Sequence, residues 1–99
     1  MSNIMSLKLV TGEELVAEII NETEDFIELK NPVAAVMQRR QDGPALGFVP
    51  WMQAANGPTF TVAKNKIVCE AEVAEEVRNG YNQIFGAGIM VPPKDLILG

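Results

Sequence analysis

Turn-forming residues divide most of this chain into short segments, and this spacing is the strongest constraint on its fold. Residues 5–10 alternate apolar and polar side chains and end at Thr11-Gly12, a pattern typical of a half-buried strand that stops at a turn. Residues 15–20 are rich in β-branched side chains, and a polar cluster follows at 21–25. The two segments therefore predict an antiparallel pair of strands.

The next two segments are longer. Residues 26–40 predict one strand that contains Pro32, and a proline marks an edge, a bulge or a sharp bend because it has no amide to donate. The turn cluster at 41–44 predicts a hairpin into a return strand over 45–52, and a β-like pattern resumes at 59–62. We therefore expect a long, bent hairpin in the middle of the sheet.

After residue 66 the apolar period changes from two to about 3.6. Residues 67–73 alternate, which predicts a final strand with its apolar members inward: Ile67, Cys69, Ala71 and Val73. An apolar stripe then predicts a helix over about 74–85, with Glu75 and Glu76 in its first turn, where acids suit the helix N-terminus. Two prolines predict an extended tail over 86–99.

Composition excludes several classes of protein. A chain of 99 residues with 47% hydrophobic residues suits one domain, 1–99. There is no histidine and only one cysteine, Cys69, so the commonest general base, the commonest metal ligand and an internal disulfide are all missing. We therefore predict no catalytic residues, no metal site, no cofactor and no enzymatic activity.

Targeting signals are equally sparse. The longest apolar run, residues 33–37, is far short of the ~20 residues that a membrane-spanning helix needs. The first ten residues lack a basic start followed by a continuous apolar stretch. We expect no membrane association and a cytoplasmic location.

Charge is unevenly distributed along the chain, whose formal net charge is −5. Residues 1–28 and 70–99 are acidic, whereas the middle carries five of the basic residues and one acid, Asp42. Those basic residues are Lys30, Arg39, Arg40, Lys64 and Lys66. The net charge argues against tight non-specific nucleic-acid binding, so any such binding depends on whether folding brings these cations together.

Five strands in this order, with a basic turn before the fifth, suit a small strongly bent barrel. Four features together resemble the Sm-like (LSm) proteins, and more particularly those of tailed phages. They are Thr11-Gly12-Glu13, the acidic loop 21–25, the strand 29–40 ending in Gln41-Asp42-Gly43, and residues 62–68. The resemblance covers about residues 4–73 and implies an all-β, five-stranded antiparallel Sm-like (SH3-like) barrel. Here a C-terminal α-helix follows the barrel, whereas the family's helix usually precedes it.

The resemblance also implies a function. Sm-like subunits form closed rings by pairing the fourth strand of one copy with the fifth of the next, and they bind single-stranded RNA around the pore. Lys64-Asn65-Lys66 takes the place of the family's Arg-Gly-Asn-like turn, so these residues are the main candidates for contact with RNA or DNA. Asn21 and either Arg39 or Arg40 are secondary candidates, since adjacent strand residues face opposite ways. We expect a homo-oligomeric ring of five to seven subunits with a role in nucleic-acid processing, in the host cytoplasm if the protein is phage-encoded.

Two alternatives remain open at this point. Glu22, Glu24 and Asp25 lie in the loop that the family uses for RNA, and if they face the pore they oppose phosphate binding. A structural or adaptor ring for protein partners would then be the better description. Trp51 could stack on a base, but a lone tryptophan in a strand more often fills a core or an interface, and we expect packing.

Overall fold

The computed structural model describes residues 3–85, and most of them lie in one antiparallel sheet followed by a helix. The strands are β1 (Ile4–Leu9), β2 (Glu14–Glu22), β3 (Phe26–Arg40), β4 (Gly43–Pro50), β5 (Thr59–Ala63) and β6 (Ile67–Glu72). A 3₁₀ turn, Lys64–Lys66, joins β5 to β6, and α1 is Glu75–Phe85. This confirms the predicted all-β fold with a C-terminal helix. The predicted tail, 86–99, lies outside the described residues.

The fourth predicted strand is two strands, so the sheet has six rather than five. β4 pairs with the second half of β3, from Val33 to Arg40, and β5 pairs with the first half, from Phe26 to Lys30. Between the halves β3 bends at Asn31, whose φ is +53°, a conformation that asparagine tolerates better than most residues. One straight partner cannot follow this bend, so the chain leaves the sheet over 51–58 and rejoins it as β5.

The sheet curls so that its two borders approach each other. The strand order is β4-β3-β2-β1-β6, with β5 also on β3, yet only three residues connect β5 to β6. A connection that short requires the border formed by β5 to lie near the border formed by β6. The curl encloses the first core cluster, which is fully or almost fully buried: Leu7, Leu9, Leu15, Ala17, Ile27 and Leu29.

Helix α1 covers the opposite face of the sheet. Its apolar stripe packs on a second core cluster that contains Ile4, Val16, Val33 and Phe48. Tyr81 is the buried centre of this contact, with its ring edge-on to Phe48 at 6.5 Å between centroids. The predicted helix stripe is therefore confirmed, and β2 is buried on both faces because Val16 points toward the helix while Leu15 and Ala17 point into the curl.

The Tyr81 hydroxyl ties the helix to the bend in β3. It donates to the main-chain carbonyls of Lys30 and Asn31 at 3.0 and 2.9 Å, and the Asn31 N–H donates to the Pro58 carbonyl at 2.8 Å. Polar groups that the bend removes from the sheet thus find partners, as buried backbone groups must. Burial raises the pKa of Tyr81, and the nearby Glu18 carboxylate adds to the effect, so the hydroxyl stays protonated and remains a donor.

One part of the final-strand prediction is wrong. Ile67 and Val73 are half-buried as expected, but Cys69 and Ala71 are exposed. The register explains this: Leu9 pairs with Ile67, whereas Lys8 pairs with Cys69, so the strand carries a bulge at Val68. Beyond the bulge the facing reverses, so Cys69 and Ala71 share the face of Lys8 and Ser6, and Val73 packs on the second core cluster whereas Ile67 packs on the first. Simple alternation does not reveal this shift.

We expect Tyr81→Phe to lower the free energy of unfolding by about 1–2 kcal/mol, because two carbonyls at the bend lose their buried donor. Urea unfolding monitored by circular dichroism measures the change. Asn82→Ala, at the exposed neighbouring position, is the matched control and should stay within ~0.5 kcal/mol of the parent. A Tyr81→Phe variant as stable as the parent would show that the hydroxyl does not support the bend.

Candidate nucleic-acid interface

The curl of the sheet places the β2–β3 loop beside the turn that joins β5 to β6. Phe26 pairs with Ala63 across the sheet, and the next residue, Lys64, donates its backbone N–H to the Asp25 carbonyl at 2.9 Å. The loop is closed by Thr23, whose hydroxyl accepts the Phe26 N–H at 3.1 Å. Two regions that are about 40 residues apart in sequence therefore form one continuous surface.

This surface carries charges of both signs. Lys64 Nζ lies 2.6 Å from Glu22 Oε2, and the two side chains are 31% and 46% exposed. An ion pair this exposed contributes at most ~1 kcal/mol to stability, but it directs the ammonium toward a carboxylate of the chain itself. Glu24 and Asp25 are exposed in the same loop. The three acids of the loop, Glu22, Glu24 and Asp25, outnumber the two lysines of the turn.

Lys66 and the two asparagines have different surroundings. Lys66 and Asn65 are exposed, and within residues 3–85 the ion pair of Lys64 has no counterpart at Lys66. Asn21 is exposed at the end of β2, where it pairs with Glu28, and Glu28 pairs in turn with Thr61. The structure therefore brings Asn21 to the same end of the sheet as Lys64, Asn65 and Lys66.

The two arginines lie elsewhere. Arg39 and Arg40 end β3 at the hairpin, opposite Pro44 and Gly43, and Arg39 is roughly 40 Å along the strand from Phe26 at ~3.3 Å per residue. Lys30 lies between Phe26 and Arg39, next to the bend at Asn31. Of the five basic residues of the middle segment, Lys64 and Lys66 thus lie near one end of β3 and Arg39 and Arg40 lie at the other, so the five do not form one patch.

The chain matches a family model described as an Sm-like domain over residues 6–82. It belongs to the Sm-like family. The match extends from β1 into α1 and confirms the family resemblance found in the sequence. Sm-like proteins are commonly RNA-binding ring proteins and typically non-enzymatic. No curated protein matches the chain significantly.

A residue that the sequence interpretation missed stands beside the basic turn of this Sm-like protein. Phe26 is 50% exposed and contributes, with Asn21 and Thr23, to a shallow hollow at the loop. The strand alternation contained the signal, because it places Ile27 and Leu29 inward and hence Phe26 outward with Glu28. An exposed aromatic ring next to lysines can support a nucleobase by stacking.

Trp51 is engaged in packing, as expected. Its ring meets Phe60 edge-on at 5.9 Å between centroids, and its indole N–H donates to Glu13 Oε2 at 2.9 Å. Glu13 also accepts the Thr11 hydroxyl at 2.6 Å. These contacts tie the loop after β4 to the β1–β2 turn and leave the indole N–H committed within the protein.

Residues 3–85 contain no group of three or more cysteine, aspartate or glutamate side chains placed to hold a metal ion. No helix in the same range has the length and apolarity to cross a membrane.

The hydrogen bonds from Thr11 and, secondly, Trp51 lower the pKa of Glu13. Because the pKa is lower in the folded state, the stability that this carboxylate adds is present above its unfolded pKa and is lost as the pH falls through its folded pKa.

We expect Thr11→Val, and to a smaller extent Trp51→Phe, to raise the Glu13 pKa toward its ordinary value. A carboxyl ¹³C titration by NMR measures this, and identical Glu13 curves in the parent and both variants would contradict it.

Proposed function

We propose that this Sm-like protein forms a closed homo-oligomeric ring that binds single-stranded RNA or DNA at Lys64, Asn65 and Lys66. The observation that supports the site most directly is the hydrogen bond from the Lys64 N–H to the Asp25 carbonyl, because it joins the loop to the turn. The whole chain, 1–99, would be one Sm-like domain. If the resemblance to phage members holds, the ring acts in nucleic-acid processing in the host cytoplasm.

The ring proposal rests on two unfilled sheet borders. Among residues 3–85, β5 pairs only with β3, and β6 pairs only with β1. Unpaired strand edges present N–H and C=O groups that pair readily with another chain. β5 and β6 correspond to the second half of the family's fourth strand and to its fifth strand, so a head-to-tail contact between them, repeated five to seven times, closes a circle.

An exposed apolar residue supports the β6 border. Val68, at the bulge of β6, is 64% exposed, whereas the exposed residues of β5 are Thr59 and Thr61. Soluble proteins commonly protect a free edge with lysine or with bulges that twist it away. β6 carries a bulge, but the residue in the bulge is an exposed valine and not a charged residue, which suits a contact with a neighbouring copy.

We expect the parent protein to have five to seven times its 10.8 kDa chain mass by light scattering after size exclusion. Val68→Lys should convert it to a monomer at the same concentration, because a charge on the β6 edge must be desolvated in the ring contact.

Val10→Lys is the matched control for this experiment. Val10 is also an exposed valine, 55% accessible, but it lies in the β1–β2 turn, so the variant should keep the parent mass. A monomeric parent, or equal loss of mass in both variants, would contradict pairing through β6.

Ring closure would bring the basic turns of several copies together and so strengthen their attraction for phosphate. Each copy contributes one lysine of the turn without an ion pair in the described range, Lys66, and one lysine shared with Glu22. When the subunits are repeated around an axis, these charges converge on the phosphates of a single nucleic-acid strand. Phe26 would add base stacking of about 1–3 kcal/mol per base, whereas lysine contributes as a hydrated point charge rather than a stacking fork. Binding should be weak and strongly salt-dependent.

We expect the parent to bind a fluorescein-labelled oligo-uridine 12-mer and Lys64→Ala/Lys66→Ala to lose at least tenfold in affinity at low salt, because the phosphates lose their cations. Anisotropy titrations at several salt concentrations measure the affinity and its salt slope.

Arg39→Ala controls for loss of positive charge at the far end of β3 and should change the affinity less than twofold. If the parent and the double variant bind equally, or neither binds, nucleic-acid recognition at this turn is ruled out.

A second candidate is a structural or adaptor ring for protein partners. The observation that favours it is the ion pair between Lys64 and Glu22 within a loop that carries two further acids, which reduces the attraction for phosphate. The experiments above distinguish the two functions, because an adaptor ring has the oligomeric mass of a ring in solution but does not bind the oligonucleotide.

A further inference from the structure

A trough runs between the first half of α1 and the sheet, and we call it the helix trough. It consists of two hollows of about 240 and 510 Å³ that share Leu46 and Val77 in their walls. The other apolar residues that line the first hollow are Val16, Ala35, Ala71, Val73 and Ala74. Leu46 and Val77 are only half-buried, so this apolar surface is accessible.

The trough exists because small residues occupy the positions that would fill it. The second half of α1 closes on the sheet through Tyr81, which is 2% exposed. Toward the first half, four of the residues that line the hollows are alanines: Ala35, Ala45, Ala71 and Ala74. Their short side chains leave the helix and the sheet separated, so a side chain from another molecule can enter without displacing a packed residue.

Three different elements place carboxylates on the rim of the trough. Glu14 comes from β2, Glu72 from β6 and Glu76 from α1, and all three are exposed. Within the described residues, no lysine or arginine lines either hollow. Lys8 is the cross-strand neighbour of Glu14 but does not form part of the wall. An apolar floor with an acidic rim is complementary to a ligand that combines aliphatic and positively charged groups.

We propose that the helix trough binds a short basic peptide segment of a partner protein. An aliphatic side chain of the peptide would lie between Leu46 and Val77, and flanking lysine or arginine side chains would pair with Glu14, Glu72 and Glu76. This inference requires neither the ring nor nucleic-acid binding, and it gives the adaptor function a chemical class of partner.

Charge selects this occupant over the alternatives. Residues 86–99 of the chain contain one lysine and one aspartate, and a second copy has a formal charge of −5. Neither supplies the concentrated positive charge that three carboxylates favour, and a nucleic acid would be repelled by them. A basic peptide satisfies both the rim and the floor.

The probe is the fluorescein-labelled peptide Gly-Lys-Lys-Leu-Lys-Leu-Lys-Gly, titrated with the full-length protein by anisotropy. We expect saturable binding to the parent and at least a tenfold weaker Kd for Glu72→Lys/Glu76→Lys. Glu24→Lys/Asp42→Lys changes the net charge by the same amount on loops outside the trough and should stay within twofold of the parent. Circular dichroism checks that each variant is folded, and Glu72→Gln/Glu76→Gln replaces the reversal variant if that one is unfolded.

A second peptide in which serine replaces both leucines tests the apolar floor, and it should bind at least fivefold more weakly than the first. The proposal is overturned if the parent does not bind the first peptide. It is also overturned if both charge-reversal variants weaken binding equally, which indicates general attraction to an acidic protein, or if the serine peptide binds as well as the leucine peptide.

Discussion

The bend in β3 at Asn31 and Pro32 is the constraint on which the rest of this structure depends. It divides the partner strand in two, and β5 therefore returns along the first half of β3 and not along the second. This return path places the 3₁₀ turn beside the β2–β3 loop. The Tyr81 hydroxyl and the Pro58 carbonyl satisfy the polar groups at the bend, so a position that weakens a regular sheet is stabilised by the helix and by the loop after β4.

The position of the helix has consequences on both sides of the sheet. Because α1 packs on the face opposite the curl, it leaves both sheet borders unpaired in the described part of the chain and close to the basic turn. It also packs tightly at only one end, where Tyr81 contacts Phe48. The other end leaves the helix trough open. The same element that stabilises the bend thus creates the surface for which we propose a peptide ligand.

Electrostatics sets the balance between the two proposed functions. A ring subunit that binds nucleic acid needs net positive charge where it contacts the phosphates of the RNA or DNA. Here Glu22 already forms an ion pair with Lys64. Repeating the subunit multiplies the lysines and the acids of the loop together. Carboxylates also surround the helix trough, so acidic character is common to both candidate surfaces, and a basic protein partner suits the second of them without opposition.

Local patterns in the sequence determined the strands, the helix and the Sm-like family, because side-chain alternation and turn residues act over a few positions. They also placed Tyr81 on the apolar stripe of the helix, and the alternation in β3 contained the outward position of Phe26, which the sequence interpretation did not use. Only the tertiary structure decided which distant groups meet: that Lys64 pairs with Glu22, and that Arg39 lies far from both. The inward assignment of Cys69 and Ala71 failed for the same reason. A single extra residue at Val68 reverses the facing of β6, and such a shift arises from pairing with β1, which no pattern within β6 records.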